Sequence, residues 1–175
     1  MANGEIKFLC CVFNTVRQSE LALEAFLQEG VDFKYVSILL PDTHENSSRS
    51  LIRQLSYMRY FQIPSLGAFI GAGPIAFNLA NWAVSGFKIP ITELLIEIGV
   101  SELDAKRYLR LLKTGASLFY LNIDDQRMRD KAIWILKEFG GFEICSSKDE
   151  NILTTPRPKK SNYQGLSYDS FLPNI

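Results

Sequence analysis

Residues 6–13, Ile-Lys-Phe-Leu-Cys-Cys-Val-Phe, and residues 117–123, Ser-Leu-Phe-Tyr-Leu-Asn-Ile, are the two stretches whose reading decides the fold. Each is an apolar run too short for an ordinary helix and rich enough for a buried strand. After the first comes Thr15-Val16-Arg17-Gln18, which has the form of a capping box. The Thr hydroxyl can accept from the Gln18 amide while the Gln18 side chain reaches back to the cap. Val16, Leu23, Phe26 and Leu27 then recur at helical spacing, and Gly30 can take the left-handed conformation that ends a helix. Residues 33–40, Phe-Lys-Tyr-Val-Ser-Ile-Leu-Leu, read as a second strand stopped by Pro41-Asp42.

The same grammar follows the second stretch, with Asp124 as a cap, a helix to Phe139, then Gly140-Gly141 and a strand from Phe142 to Ser146. An offset of 110 carries Phe8 to Leu118, Cys10 to Tyr120, Asn14 to Asp124, Ala22 to Ala132, Phe26 to Leu136 and Gly30 to Gly140. Two strand-helix-strand units of matched spacing predict an α+β domain with a ferredoxin-like, split βαβ sheet covered on one face by two helices. A single such domain is expected over 1–150, with a helical insert at about 47–115 between its halves. Residues 151–175, rich in Pro, Ser, Asn and Tyr, are expected to form a C-terminal extension.

Length and composition agree with this. A chain of 175 residues has room for one ordinary domain, and 47% apolar residues exclude wholesale disorder. Nineteen basic against nineteen acidic residues leave no surplus for neutralising phosphates, so nucleic acid is not expected as a partner. Three cysteines, two of them adjacent, do not make a secreted disulfide framework, and the first residues lack a basic stretch followed by an apolar one. The expected setting is cytoplasmic, either free or peripheral to a membrane, with the mature protein starting at Met1.

The segment between the units is too long for a structureless loop. Leu51, Ile52, Leu55, Met58 and Phe61 fall on one side of an expected short amphipathic helix, with Arg49, Arg53 and Arg59 on the other. From Tyr60 through Phe87 no residue is charged, but Pro64, Pro74, Asn78 and Asn81 interrupt the run and argue against one spanning helix. Gly67, Gly71 and Gly73 are small enough to let two backbones approach, and are expected to pack a helical hairpin closely. Pro90 suits the first turn of a helix burying Leu94, Leu95 and Ile98. Ser101 with Asp104 caps a last helix ending at Gly115.

Ile63-Pro64, Gly67, Gly71-Ala72-Gly73-Pro74-Ile75-Ala76, then Gly99-Val100-Ser101-Glu102, Ala105, Tyr108 and Gly115 ahead of an apolar strand carry a resemblance. Over about residues 6 to 146 the chain resembles a bacterial family of heat- or low-temperature-induced general stress proteins. It departs from that family in a less glycine-rich insert, in Val-Ser where Ile-Pro is usual, and in its added tail. The resemblance implies a stress-type protein and brings with it no catalytic residues.

No constellation of residues carries catalysis. The only histidine, His44, lies among polar loop residues with no spaced thiols or second imidazole, so neither a zinc site nor a triad is expected. Ser47-Ser48 lacks a base, and Gly71-Ala72-Gly73 lacks both the third glycine of a dinucleotide fingerprint and the Gly-Lys-Ser/Thr of a P-loop. No cofactor is expected. Cys10 and Cys11 point to opposite faces of their strand, and Cys145 lies in the last strand, so one of the pair is expected near it; all three are read as small buried apolar groups. Between Glu45 and Glu93 the only charges are Arg49, Arg53, Arg59 and Lys88, a local +4 that leaves −4 for the rest of a neutral chain. With Trp82, these residues form the expected contact with an anionic membrane surface or an acidic protein partner. Self-association into a homo-oligomer is the companion expectation, and a small-molecule sensor, with two subunits facing their sheets together, is the alternative.

Overall fold

The computed structural model describes residues 7–43, 49–84 and 91–147. Among these the chain is a mixed α+β fold built on a six-stranded antiparallel sheet. Strand β1 (Phe8–Phe13) is buried along its whole length. Leu9, Cys11 and Phe13 enter one core and Phe8, Cys10 and Val12 the other. A strand covered on both faces has no solvated side to mark with polar residues, which is why its sequence runs apolar without alternation.

Helix α1 (Val16–Gln28) starts on the capping box at Thr15. The Gln18 amide donates to Thr15 Oγ1 and the Thr15 amide to Gln18 Oε1, both at 3.2 Å. Asp32 then accepts from the Lys34 amide and nucleates a 3-10 turn over Phe33–Tyr35, so β2 occupies Val36–Pro41 rather than starting at residue 33. Near the other end, β5 (Ser117–Asn122) leads to α6 (Gln126–Glu138) and β6 (Phe142–Ser146). The cap of α6 is Asp125, not Asp124, and the shift makes the offset from Thr15 the same 110 that relates Gly30 to Gly140. Both glycines are left-handed, with φ of +72° and +84°.

The segment between the units departs from the all-helical expectation for about 47–115. Helix α2 covers only Arg49–Ile52, and β3 (Arg59–Ile63) and β4 (Gly67–Ala72) follow as a hairpin. Phe61 and Ile63 are buried while Tyr60 and Gln62 are exposed, the two-residue period of a strand with one face on the core. Pro64, and Ser65 at φ +68°, turn the chain into Gly67. Gly67, Gly71 and Gly73 therefore sit in and after a β-hairpin, not in a helical one. The insert continues through α3 (Pro74–Val84), α4 (Ile91–Glu97) and α5 (Glu102–Lys113), with Ser101 capping α5 by accepting from the Asp104 amide.

The strand order is β3-β4-β2-β5-β1-β6. On one face α1 and α6 enclose a core that holds Leu21, Phe26, Ile38, Phe119, Leu121, Ile133 and Leu136. On the other, α3, α4 and α5 enclose Leu39, Phe69, Leu79, Leu95, Tyr108 and Leu118. The expected sheet with one helix-covered face is thus corrected to a sheet sandwiched between two helical layers. Three of the insert's helices, α3, α4 and α5, occupy the face that two subunits pairing sheet to sheet would need, while α2 packs beside α1 on the other face. Among the described residues no helix is long and apolar enough to cross a membrane.

Candidate functional site

Where the insert meets the end of the sheet, the chain leaves a cleft of about 340 Å³. Four parts of the fold line it: the 3-10 turn with Lys34 and Tyr35, the strands with Ser37, Tyr120 and Asn122, the start of α3 with Pro74, Ile75 and Asn78, and the end of α4 with Glu97 and Ile98. The size lies within the range of about 300 to 1,000 Å³ common to small-molecule sites.

Its walls are fixed by packing and by hydrogen bonds. Ser37 lies opposite Tyr120 in the register of β2 with β5, so both reach toward the insert. The buried Ser37 accepts the Ile75 amide at 3.2 Å, which ties the first turn of α3 to β2. Gly73 makes that junction possible. At φ +84° its position is left-handed, and a Cβ there would lie 2.2 Å from the Val36 carbonyl oxygen. Tyr120 stacks on Phe8 with centroids 5.6 Å apart and donates from its hydroxyl to the Ile98 carbonyl at 2.9 Å, anchoring the end of α4. Burial pushes the Tyr120 phenol well above its usual pKa, so it remains a neutral donor. On the outer side, Lys34 pairs with Asp32 at 3.0 Å and lies 4.8 Å from the Tyr35 ring centroid. The Lys34 backbone amide, helped by its ammonium, holds the Asp32 carboxyl below the usual range. The first turn of α3 spends its amides within the protein, Ile75 on Ser37 and Ala76 on the Gly73 carbonyl. What the cleft offers is an apolar floor of Ile75, Ile98 and Pro74 with amide, hydroxyl, ammonium and carboxylate groups around it.

The other face of the 3-10 turn borders a second cleft, which shares Lys34 and Tyr35 and is otherwise lined by Gly30, Asp32, Ile123, Asp124, Asp125 and Met128. Two of its three carboxylates already serve the chain. Asp32 caps the 3-10 turn and Asp125 caps α6.

Sequence-predicted site residues fall elsewhere. Arg53 and Arg59 are exposed, and Arg59 donates to the Met58 carbonyl at 2.9 Å. Trp82 is half-buried and packs against the core of the insert face. The Arg49 side chain and Lys88 lie outside the described residues, as do His44, Ser47, Ser48 and residues 151–175. Gly71 lies against Phe61, where a Cβ would meet the ring at 2.8 Å. Ser37, Asn78, Glu97, Tyr120 and Asn122 were not singled out in the sequence. They lie on four different elements, brought together by the register of β2 with β5 and by the bonds that dock α3 and the end of α4 on those strands.

The thiols divide as their strand requires. Cys11 is sealed in the core under α1 and α6, while Cys10 faces the insert and lies opposite Cys145 of β6. Cys10 and Cys11 are buried and Cys145 half-buried. The hydroxyl of Tyr108, from α5, lies 3.1 Å from the Cys10 carbonyl oxygen and 3.0 Å from the Cys145 sulfur. Among the described residues no group of three or more His, Cys, Asp or Glu side chains is placed to hold a metal ion. Compared with family models, curated proteins and solved structures, the chain matches none of them.

Proposed function

We propose that this chain is a ferredoxin-like, split βαβ domain that binds a small molecule in the cleft between its insert and its sheet. The spatial order β2-β5-β1-β6, with α1 and α6 on one face, supports the fold reading, and the β3-β4 hairpin extends that four-stranded unit at the β2 edge. The convergence of Lys34, Ser37, Asn78, Glu97 and Asn122 around an apolar floor supports the binding reading. A ligand suited to it has an apolar body and both donor and acceptor groups. The setting, proposed from the sequence resemblance, is a cytoplasmic stress response without catalysis.

Binding to the folded state alone raises stability by mass action. Adding the low-molecular-weight fraction of the protein's own cells should therefore raise the melting temperature of the wild type. Asn78→Trp, which fills the cleft from a partly exposed position on α3, should melt normally and show no rise. An equal rise in both proteins would defeat the proposal.

A second reading, association through the insert, draws on Tyr57 and Phe77, which are exposed with ring centroids 4.9 Å apart. Among the described residues β3, close by, has a strand partner on one side only. Edges of this kind invite pairing with another chain. Sedimentation velocity at micromolar concentration decides it, since a 19.9 kDa species alone would exclude the oligomer. Flotation with anionic vesicles tests Arg53 and Arg59 as a membrane contact in the same way.

A further inference from the structure

Strand β6 carries one residue more than β1 between matched pairs. Val12 lies opposite Phe142 and Cys10 opposite Cys145, so two steps on β1 meet three on β6. The extra residue is a β-bulge, and Glu143 within it is left-handed at φ +50°. A one-residue shift reverses which face each later side chain takes. Without the bulge, Ile144 would stand beside Cys10. With it, Ile144 packs into the α1/α6 core and Cys145 comes round to the insert face, against the core that contains Cys10.

Helix α5 fastens this arrangement. Arg107 holds the Glu143 carboxylate at 2.8 Å, and the Tyr108 hydroxyl reaches the Glu143 and Cys10 carbonyls and the Cys145 sulfur together. Non-glycine left-handed backbone costs free energy and persists where its surroundings enforce it, often at functional sites. Here what it secures is the opposition of two thiols, one sealed and one reachable from solvent on a strand that pairs, among the described residues, only with β1.

We propose that Cys145 and Cys10 form a reversible disulfide in response to hydroperoxides. The Cys145 thiolate attacks the outer peroxide oxygen. An S–O bond forms, the O–O bond breaks, and the departing alkoxide or hydroxide takes a proton from water, leaving a sulfenic acid on Cys145. The Cys10 thiol gives up its proton and attacks that sulfur; the S–S bond forms and the S–O bond breaks, with water leaving. Two thiols are oxidised by one electron each and one peroxide is reduced by two. Opposed residues on antiparallel strands have Cβ atoms about 4.5–5.5 Å apart, and a disulfide needs about 3.5–4.5 Å, so the bulged edge strand closes by about 1 Å. The environment suits the roles. Hydrogen bonds from Cys10 and Tyr108, with the Arg107 charge, favour the Cys145 thiolate against its partial burial and the nearby Asp104, while burial keeps Cys10 protonated until it is called on.

The test uses the full chain, reduced, freed of reductant and exposed to hydrogen peroxide, with remaining thiols then blocked by N-ethylmaleimide. Intact mass measured before the blocking step should fall by two hydrogens, and non-reducing peptide mapping after it should join the Cys10 and Cys145 peptides, with dithiothreitol added before blocking reversing both. Cys11→Ser should keep the link, which rules out its neighbour as the partner. In Cys10→Ser a dimedone-reactive sulfenic acid should accumulate on Cys145, and Tyr108→Phe should slow the wild-type reaction several-fold. The map of the wild type decides the matter even if a variant misfolds. A link through Cys11, Cys145 oxidised to sulfinic acid beside a free Cys10, or no reaction at Cys145 would each overturn the proposal.

Discussion

On one face of the sheet, α1 and α6 pack as near-copies, each thirteen residues long, each begun by a side-chain cap and followed by a left-handed glycine. On the other, α3, α4 and α5 come from the insert, share no common spacing, and carry the junctions at Gly73, Ser37, Tyr108 and Tyr120. The first face carries the repeated caps and stops, and the second carries the cleft against the insert and the opposed thiols. Each face also sends one polar anchor to backbone carbonyls in or just beyond the strands. The buried Arg129 of α6 donates to the Ile123 and Phe8 carbonyls at 3.2 and 3.5 Å, and Tyr108 of α5 serves Cys10 and Glu143.

Substitutions that match the faces against each other test that division. The largest loss is expected at the insert junction. Gly73→Ala combines a left-handed backbone with a Cβ pressed against the Val36 carbonyl, and should cost about 3 to 5 kcal/mol in urea denaturation. Its counterpart Gly30→Ala, left-handed but with open space around the new methyl, should cost about 1 kcal/mol. Equal losses would show that the junction is not tight. Arg129→Ala, which strips a fully buried side chain from the Phe8 and Ile123 carbonyls, should cost about 3 kcal/mol by the same measurement. Tyr108→Phe keeps the ring and removes one hydroxyl, so about 1 to 2 kcal/mol is expected.

The smallest effect is a shift in reactivity. The favoured thiolate at Cys145 means that its folded-state pKa is depressed, so as pH falls it stays ionised and open to alkylation to a lower pH than the same thiol in the unfolded chain. Cys10 and Cys11, raised by burial, stay protonated as pH rises past that range. The groups around Cys145 are Cys10, Tyr108, Asp104, Arg107 and Glu143. Iodoacetamide labelling of folded protein as a function of pH, resolved by peptide, should show Cys145 alone reacting, with its midpoint displaced downward. A midpoint at the unfolded value would break the contrast between the thiols.

Much of the α1/α6 face was legible because its signals are local. Thr15 with Gln18, and Gly30 with Gly140, are caps and stops that act within one turn. The unbroken run Phe8–Phe13 also held a clue that both faces of its strand are covered. The insert was harder. Leu51, Ile52, Leu55, Met58 and Phe61 happen to share helical spacing, while the competing two-residue period covers only Tyr60 to Ile63, and tertiary pairing with β4 settled the contest. Asp32 diverted the expected start of β2 into a 3-10 turn. The bulge at Glu143 depends on Arg107 and Tyr108, 36 and 35 residues earlier, and left no mark in the sequence of β6 itself. The cleft draws on residues from Lys34 to Asn122, and the register of β2 with β5 together with the docking of α3 and α4 gathers them.

That the inserted face is the binding face is tested most directly by native mass spectrometry of the chain purified from its own cells under gentle desolvation. The wild type should carry a low-molecular-weight species above its 19.9 kDa mass. That species should be lost in Asn78→Trp and kept in Arg53→Gln. A bare chain in the wild type, or a retained species unaffected by Asn78→Trp, would contradict the account.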